Sequence, residues 1–101
     1  MNLVLIGYRG TGKSTIGTRL AAMLDMAYVS LDAEIVARAG MSIPAIVARF
    51  GWDRFRDLEA RAVADAAARD GQVLDTGGGV IVRPENVRRL KERGIVFLLE
   101  A

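Results

Sequence analysis

The stretch that decides the fold is GYRGTGKS, residues 7–14, which follows the apolar run NLVLI at residues 2–6. Its fixed positions match the pattern G-x-x-x-x-G-K-[ST], whose glycines let successive backbone N–H groups turn inward around an anion. Apolar residues then recur at helical spacing, at Ile16, Leu20, Met23 and Leu24. A buried strand, a glycine loop and an amphipathic helix in this order predict a site for nucleotide phosphates.

The loop also predicts which groups meet the nucleotide and its metal. We expect Lys13 to reach the β- and γ-phosphates of ATP and the Ser14 hydroxyl to ligate Mg²⁺. Further contacts to the ATP phosphates are expected from Gly10, Thr11, Gly12 and Thr15. The alternative is a glycine-rich turn with a solvated lysine, and we assign no role to the residues at positions 8 and 9.

The composition narrows the class of protein. The 101 residues contain no cysteine and no histidine, which excludes disulfides, thiolate nucleophiles, a Ser-His triad and the usual zinc sites. A net charge of +2 suits an anionic small molecule and is too weak to argue for nucleic acid. No apolar run approaches the roughly 20 residues that span a bilayer, and no basic leader is present. We therefore expect a cytoplasmic monomer with no membrane or nucleic-acid partner.

Strands and helices are predicted to alternate along the chain. Strands are expected at residues 2–6, 27–31, 72–75 and 95–99. After the helix that follows the loop, helices are expected at residues 32–39, 44–50, 53–69 and 84–93. This order predicts an α/β protein with three layers, in which helices cover both faces of a central parallel sheet of four strands. We expect one domain, residues 1–101, which is C-terminally incomplete because the chain ends directly after a strand.

Charged residues and glycines gather at the predicted carboxyl ends of the strands. Asp32 follows the second strand, Asp75 ends the third, and Gly77, Gly78 and Gly79 come next. In a parallel sheet these ends share one edge with the phosphate loop. Glycines there would let a substrate lie against the backbone and accept its N–H hydrogen bonds, although a sharp strand-to-helix turn is the alternative.

Two further side chains suit an enzyme that phosphorylates an alcohol. Such an enzyme needs a carboxylate to accept the hydroxyl proton and a cation to fix an anionic acceptor. Asp32 and Arg56 are one of each. Asp32 has the alternative of capping the helix that begins there, and Arg56 has the alternative of a solvated pair with Glu59 one turn along its helix.

These segments resemble the shikimate kinase family, P-loop kinases of the nucleoside-monophosphate-kinase type. The resemblance rests on GYRGTGKSTIG, LDAEIVARAGMSI, FRDLE and DTGGGVIVRPEN, in the family's order and over essentially the whole chain. Gluconate and adenylate kinases do not look like this at the glycine triplet. The resemblance implies ATP- and Mg²⁺-dependent phosphorylation of the shikimate 3-hydroxyl, a step of aromatic amino-acid biosynthesis. A nucleotide-binding module without turnover, or a kinase for another hydroxy acid, remains the alternative.

The resemblance also implies roles for individual residues. Asp32 matches the aspartate that holds the acceptor's ring hydroxyls and is the proposed base. Arg56 matches the arginine that pairs with the shikimate carboxylate, and Glu59 a glutamate that orients that arginine. The glycines at 77–79 match those beneath the acceptor, with Gly78 as the amide donor.

The chain departs from the family pattern in two places. The family usually has an aspartate near magnesium where this sequence has Ser30. A serine hydroxyl cannot neutralise charge, so we hypothesise that Asp75 takes over that task. The family's fifth strand and mobile lid, with their arginines, would follow residue 101.

Overall fold

The computed structural model describes residues 1–7 and 12–99 of the chain. The described strands are β1 (Asn2–Gly7), β2 (Ala27–Ser30), β3 (Gln72–Gly77) and β4 (Gly94–Leu99). All are parallel, in the order β2-β3-β1-β4. The described helices are α1 (Lys13–Leu24), α2 (Leu31–Ala39), α3 (Ile43–Phe50), α4 (Trp52–Ala67), α5 (Pro84–Glu92) and a short 3-10 helix (Gly78–Val82). The predicted α/β class with four parallel strands is confirmed.

Helices cover both faces of the sheet because adjacent strand residues point in opposite directions. One face holds the larger apolar core, built by β1 and β3 against α2, α3, α4 and α5, and its buried residues include Val4, Ile6, Leu31, Ile35, Ile46, Phe55, Val63, Leu74 and Leu90. On the other face Leu5 and Val73 pack against Ala21 of α1. The result is the predicted three-layer arrangement.

The residues of α1 that pack against the sheet are not the apolar residues that recur at helical spacing in its sequence. Gly17 and Ala21 are its buried residues, whereas Ile16, Met23 and Leu24 are 40, 80 and 51 % exposed. Tyr28 of β2 explains the change, because a Cβ on Gly17 would lie only 2.7 Å from the Tyr28 Cε1 atom. The absence of a side chain at Gly17 allows the tyrosine ring to pack against the helix.

The prediction that Asp32 caps α2 is wrong. Ser30 is the N-cap, and its Oγ accepts a hydrogen bond from the Ala33 N–H at 3.3 Å. The residue after Ser30 is already helical, so β2 ends one residue earlier than predicted and Asp32 lies in the first turn of α2. Serine is among the best N-cap residues, which explains the preference.

Other boundaries shift by one or two residues. β3 continues past residue 75 to Gly77, and α4 runs over Trp52–Ala67 instead of 53–69. α5 ends at Glu92 with Arg93 as its C-cap, so Gly94 begins β4 and does not close the helix as predicted. Among the described residues, no helix combines the length and hydropathy needed to cross a membrane.

Candidate active site

The first residue of the phosphate loop meets the glycine triplet at the carboxyl edge of the sheet. Gly7, at the end of β1, is paired in register with Gly77, at the end of β3. Gly12, at the start of α1, adopts a left-handed backbone with φ 74°, which favours glycine. Two predicted phosphate contacts, Gly10 and Thr11, lie outside the described residues.

The beginning of α1 is chemically suited to an anion. It has no side-chain cap and no acidic residue in its first turn, and Ser14 and Thr15 lie there exposed. α2 starts at the same edge but is capped by Ser30 and carries acidic residues in its first turn. The partial positive charge of α1 is therefore left uncompensated by side chains of its own first turn.

Lys13 forms an ion pair with Asp75 at this edge. Its Nζ lies 2.8 Å from Oδ1 of Asp75, and the two side chains are 16 and 7 % exposed. The other carboxylate oxygen, Oδ2, accepts a hydrogen bond from the Tyr28 hydroxyl. Asp75, which the sequence suggested for magnesium, is thus the counter-ion of Lys13 in this structure.

Tyr28 is a site residue that sequence reasoning missed. A tyrosine in a short strand usually signals core packing, and nothing in the sequence connects it with residue 75. Its burial, then its hydrogen bond to Asp75 and the carboxylate charge, raise the pKa of the Tyr28 phenol well above its ordinary value. The phenol therefore keeps its proton and serves as a donor.

Besides the phosphate site, this edge of the sheet holds a second cleft of about 380 Å³, which lies beside the glycine triplet. It brings together Asp32, Arg56, Glu59, Gly77 and Gly79, which are predicted acceptor-site residues from three separate segments. Gly78 is buried. The cleft wall also contains apolar residues that the sequence did not single out, namely Ile43, Pro44, Trp52 and Phe55.

Arg56 is held in this cleft by three neighbours. Its Nη1 donates to Oε1 of Glu59 at 3.0 Å, and its guanidinium carbon lies 5.3 Å from the ring centroids of both Trp52 and Phe55. The Glu59 side chain is only 5 % exposed, so the pair is not the solvated contact considered from the sequence. Burial raises the pKa of Glu59, and the hydrogen bond and charge of Arg56 oppose that rise.

The glycines of the triplet provide space more than unusual backbone angles. Neither Gly77 nor Gly79 has a positive φ. A Cβ on Gly79 would lie 2.7 Å from Nη2 and 2.9 Å from Cζ of Arg56, which is too close for real atoms. A Cβ on Gly77 would lie 3.6 Å from Oδ2 of Asp32, an ordinary contact. The triplet does form a strand-to-helix turn, and it also makes room for the Arg56 guanidinium.

Comparison with known sequences gives one consistent family. The family model described as shikimate kinase matches residues 9–101. The shikimate kinase of Nitratidesulfovibrio vulgaris is 48 % identical over 95 residues, covering 94 % of this chain and 54 % of that protein. That of Pelotomaculum thermopropionicum is 46 % identical over 100 residues, covering 99 % and 58 %. The chain thus spans a little over half the length of these curated relatives.

Solved structures agree with the sequence comparison. Shikimate kinase from Acinetobacter baumannii, solved in complex with shikimate, superposes with a TM-score of 0.95 at 38 % identity, over 99 % of this chain and 56 % of that one. The Aquifex aeolicus enzyme gives 0.93 at 34 % identity, over 100 % and 60 %. A gluconokinase from Sinorhizobium meliloti, at 17 % identity and a TM-score of 0.65, shares the fold alone. The chain belongs to the shikimate kinase family.

Proposed function

We propose that this chain acts in the ATP-dependent phosphorylation of the shikimate 3-hydroxyl, which yields shikimate 3-phosphate and ADP. The observation that carries the proposal is the second cleft, where the carboxylate of Asp32 and the cation of Arg56 line one cavity. Its volume of about 380 Å³ is suited to a small ring acid. The Acinetobacter baumannii relative was solved with shikimate bound.

In this proposal the phosphates of ATP lie at the beginning of α1. Lys13 pairs with the β- and γ-phosphates, and the α1 N-terminus with Gly10, Thr11, Gly12 and Thr15 surrounds them. The Ser14 hydroxyl would hold Mg²⁺, with Asp75 as the carboxylate near that charge. Hydroxyl and carboxylate oxygens are the ligand types that Mg²⁺ takes in proteins. When bound, Mg²⁺ neutralises charge on the transferring phosphoryl group.

The acceptor would lie in the second cleft. Arg56 would pair with the shikimate carboxylate through its fork of N–H donors. Asp32 would hold the ring hydroxyls and accept the proton of the attacking 3-hydroxyl. The backbone of Gly77, Gly78 and Gly79 would lie beneath the ring, with the Gly78 N–H as a donor, while Glu59 keeps Arg56 in place.

A phosphoryl-transfer assay tests this function. Incubation of a protein that spans the full length of the curated relatives with Mg²⁺, ATP and shikimate should give shikimate 3-phosphate by ³¹P NMR, and gluconate in place of shikimate should give no phosphorylated acid. Asp32→Asn should lower turnover by about 10²–10⁴-fold, the scale of a general base. Glu34→Gln is the matched control, because Glu34 lies in the same helix turn but pairs with Arg69 and Arg38. Equal turnover in Asp32→Asn and wild type would contradict the assignment.

The physiological setting follows from the same chemistry. ATP is a cytoplasmic metabolite, so we place the reaction in the cytoplasm, with small molecules as the partners and no nucleic acid or membrane. We propose a monomer, because Asp32 and Arg56 of one chain line the same cleft. Sedimentation equilibrium at assay concentration should give a single-chain mass, and a dimer mass would contradict this.

A further inference from the structure

Three side chains from three elements form a hydrogen-bonded chain below the phosphate site. Tyr28 of β2 donates to Oδ2 of Asp75 on β3, whose Oδ1 lies 2.8 Å from Nζ of Lys13 at the start of α1. The tyrosine ring lies close to the α1 backbone at Gly17, where a Cβ would come within 2.7 Å of its Cε1 atom. The phenol therefore bonds one oxygen of the Asp75 carboxylate while the lysine pairs with the other.

The proposed function requires Lys13 to turn toward the phosphates of ATP. The Asp75 carboxylate, only 7 % exposed, then loses its ion pair. A buried carboxylate that loses a partner is disfavoured, more so beside incoming phosphates of the same charge. The Mg²⁺ that the proposed function places nearby would offset this charge, but it would not replace the hydrogen bond to Oδ2. Among the described residues, the Tyr28 hydroxyl is the other group that contacts the Asp75 carboxylate.

We propose that Tyr28 is a positioning residue that keeps the Asp75 carboxylate satisfied while Lys13 passes between Asp75 and the terminal phosphates of the nucleotide. The proposal rests on the phosphate site of the proposed function. In this proposal the hydroxyl favours nucleotide binding in two ways. In the free protein its hydrogen bond to the Asp75 carboxylate weakens the ion pair between Asp75 and Lys13. With nucleotide bound, it remains as the donor to Asp75.

A purely structural hydrogen bond makes a different prediction. If the hydroxyl only supports the packing of β2 on β3, removing it should lower stability and leave nucleotide discrimination unchanged. If it acts through Asp75 on Lys13, its removal should affect nucleotides according to their β- and γ-phosphates. ATP carries both of these phosphates and AMP carries neither.

The test is a calorimetric comparison of ATP and AMP affinity in the chain and its Tyr28→Phe variant. Tyr28→Phe keeps the ring against Gly17 and removes only the hydroxyl. We expect ATP affinity to fall by about 3- to 10-fold, the range of one hydrogen bond, and AMP affinity to stay at the wild-type value. The control is Thr76→Val, which removes another buried hydroxyl of β3, one that donates to the Leu5 carbonyl oxygen at 3.1 Å. Thr76→Val should leave both affinities unchanged.

A double-mutant cycle shows whether the effect passes through Asp75. In an Asp75→Ala background, adding Tyr28→Phe should change ATP affinity no further. An ATP affinity equal to wild type in Tyr28→Phe, a parallel loss for AMP, or an undiminished loss in the Asp75→Ala background would each overturn the proposal. If the proposed phosphate site is itself wrong, Lys13→Ala will bind ATP with wild-type affinity. That result distinguishes failure of the proposed function from failure of the Tyr28 proposal.

Discussion

The guanidinium of Arg56 lies against the backbone of Gly79 so closely that a methyl group there would come within 2.7 Å of Nη2. The two residues belong to separate motifs, FRDLE on α4 and the glycine triplet after β3. Their close approach shows that a side chain at position 79 would require the Arg56 guanidinium to move from its present place. The conformation of Arg56 and the absence of a side chain at position 79 are therefore one structural feature.

Gly79→Ala should displace Arg56 and weaken shikimate binding by about tenfold, since a well-formed charged hydrogen bond is worth about 1.5–3 kcal/mol. ATP affinity should not change, because the added methyl lies in the second cleft. Gly77→Ala is the matched control, because it adds the same methyl group at an ordinary contact distance, 3.6 Å from Oδ2 of Asp32. It should lower shikimate affinity less than Gly79→Ala does. Titration calorimetry with shikimate and with ATP separates these results. Wild-type shikimate affinity in Gly79→Ala would show that the displaced arginine does not bind the acceptor.

Lys13→Ala should weaken ATP binding by about 1.5–3 kcal/mol, the range for a hydrogen bond to a charged group. The loss should shrink for AMP, which lacks the β- and γ-phosphates. Lys91→Ala, which removes a lysine from the last turn of α5, should leave ATP affinity unchanged. Calorimetry on wild type and the two variants checks this. An unchanged ATP affinity in Lys13→Ala would contradict the proposed contact between Lys13 and the phosphates.

Ser30→Ala should lower the free energy of unfolding by about 0.5–2 kcal/mol through loss of the α2 cap. Ser42→Ala is a matched comparison, because Ser42 caps α3 with the same 3.3 Å contact to a backbone N–H. Ser30→Asp should retain stability, since aspartate caps as well as serine. Urea unfolding of the three variants measures the effect. A Ser30→Ala protein as stable as wild type would mean that Ala33 finds another acceptor.

The pH dependence of stability should change in Glu59→Gln. Burial raises the folded-state pKa of Glu59 above its unfolded value, so the folded state binds more protons over that interval. The contribution of Glu59 to stability is therefore fully present below its unfolded pKa and is lost as the pH rises through its folded pKa. Glutamine does not titrate, so the stability of Glu59→Gln relative to wild type should increase as the pH rises above about 4, the ordinary pKa of a glutamate. Urea unfolding across this range checks the sign, and a relative stability that decreases with pH would contradict it.

Much of the architecture follows from local sequence signals. The apolar run before Gly7 and the alternation of strands with helices predicted a parallel sheet, because a continuous apolar strand must be buried on both faces. Helix ends were less predictable. Ser30 and Asp32 both suit an N-cap, and only the backbone shows that Ser30 is the cap and that α2 begins at Leu31, one residue before Asp32.

The candidate site was predictable only where a motif exists. The phosphate loop has fixed spacing, whereas the Tyr28 contact with Asp75 joins side chains 47 residues apart and leaves no local pattern. The buried side of α1 was also unpredictable, because it depends on Tyr28 passing Gly17. Long-range contacts of this kind follow from strand register, which the sequence alone does not specify.

The most direct test of the account is the shikimate affinity of Arg56→Ala beside Arg38→Ala, measured by titration calorimetry. Arg38 is also a helical arginine paired with carboxylates, Glu34 and Asp65, but it does not line the second cleft. The account predicts at least about tenfold weaker shikimate binding in Arg56→Ala, with wild-type affinity in Arg38→Ala and unchanged ATP affinity in both. Equal shikimate affinity in Arg56→Ala and wild type would contradict the account, since the second cleft would then not bind the acceptor through its arginine.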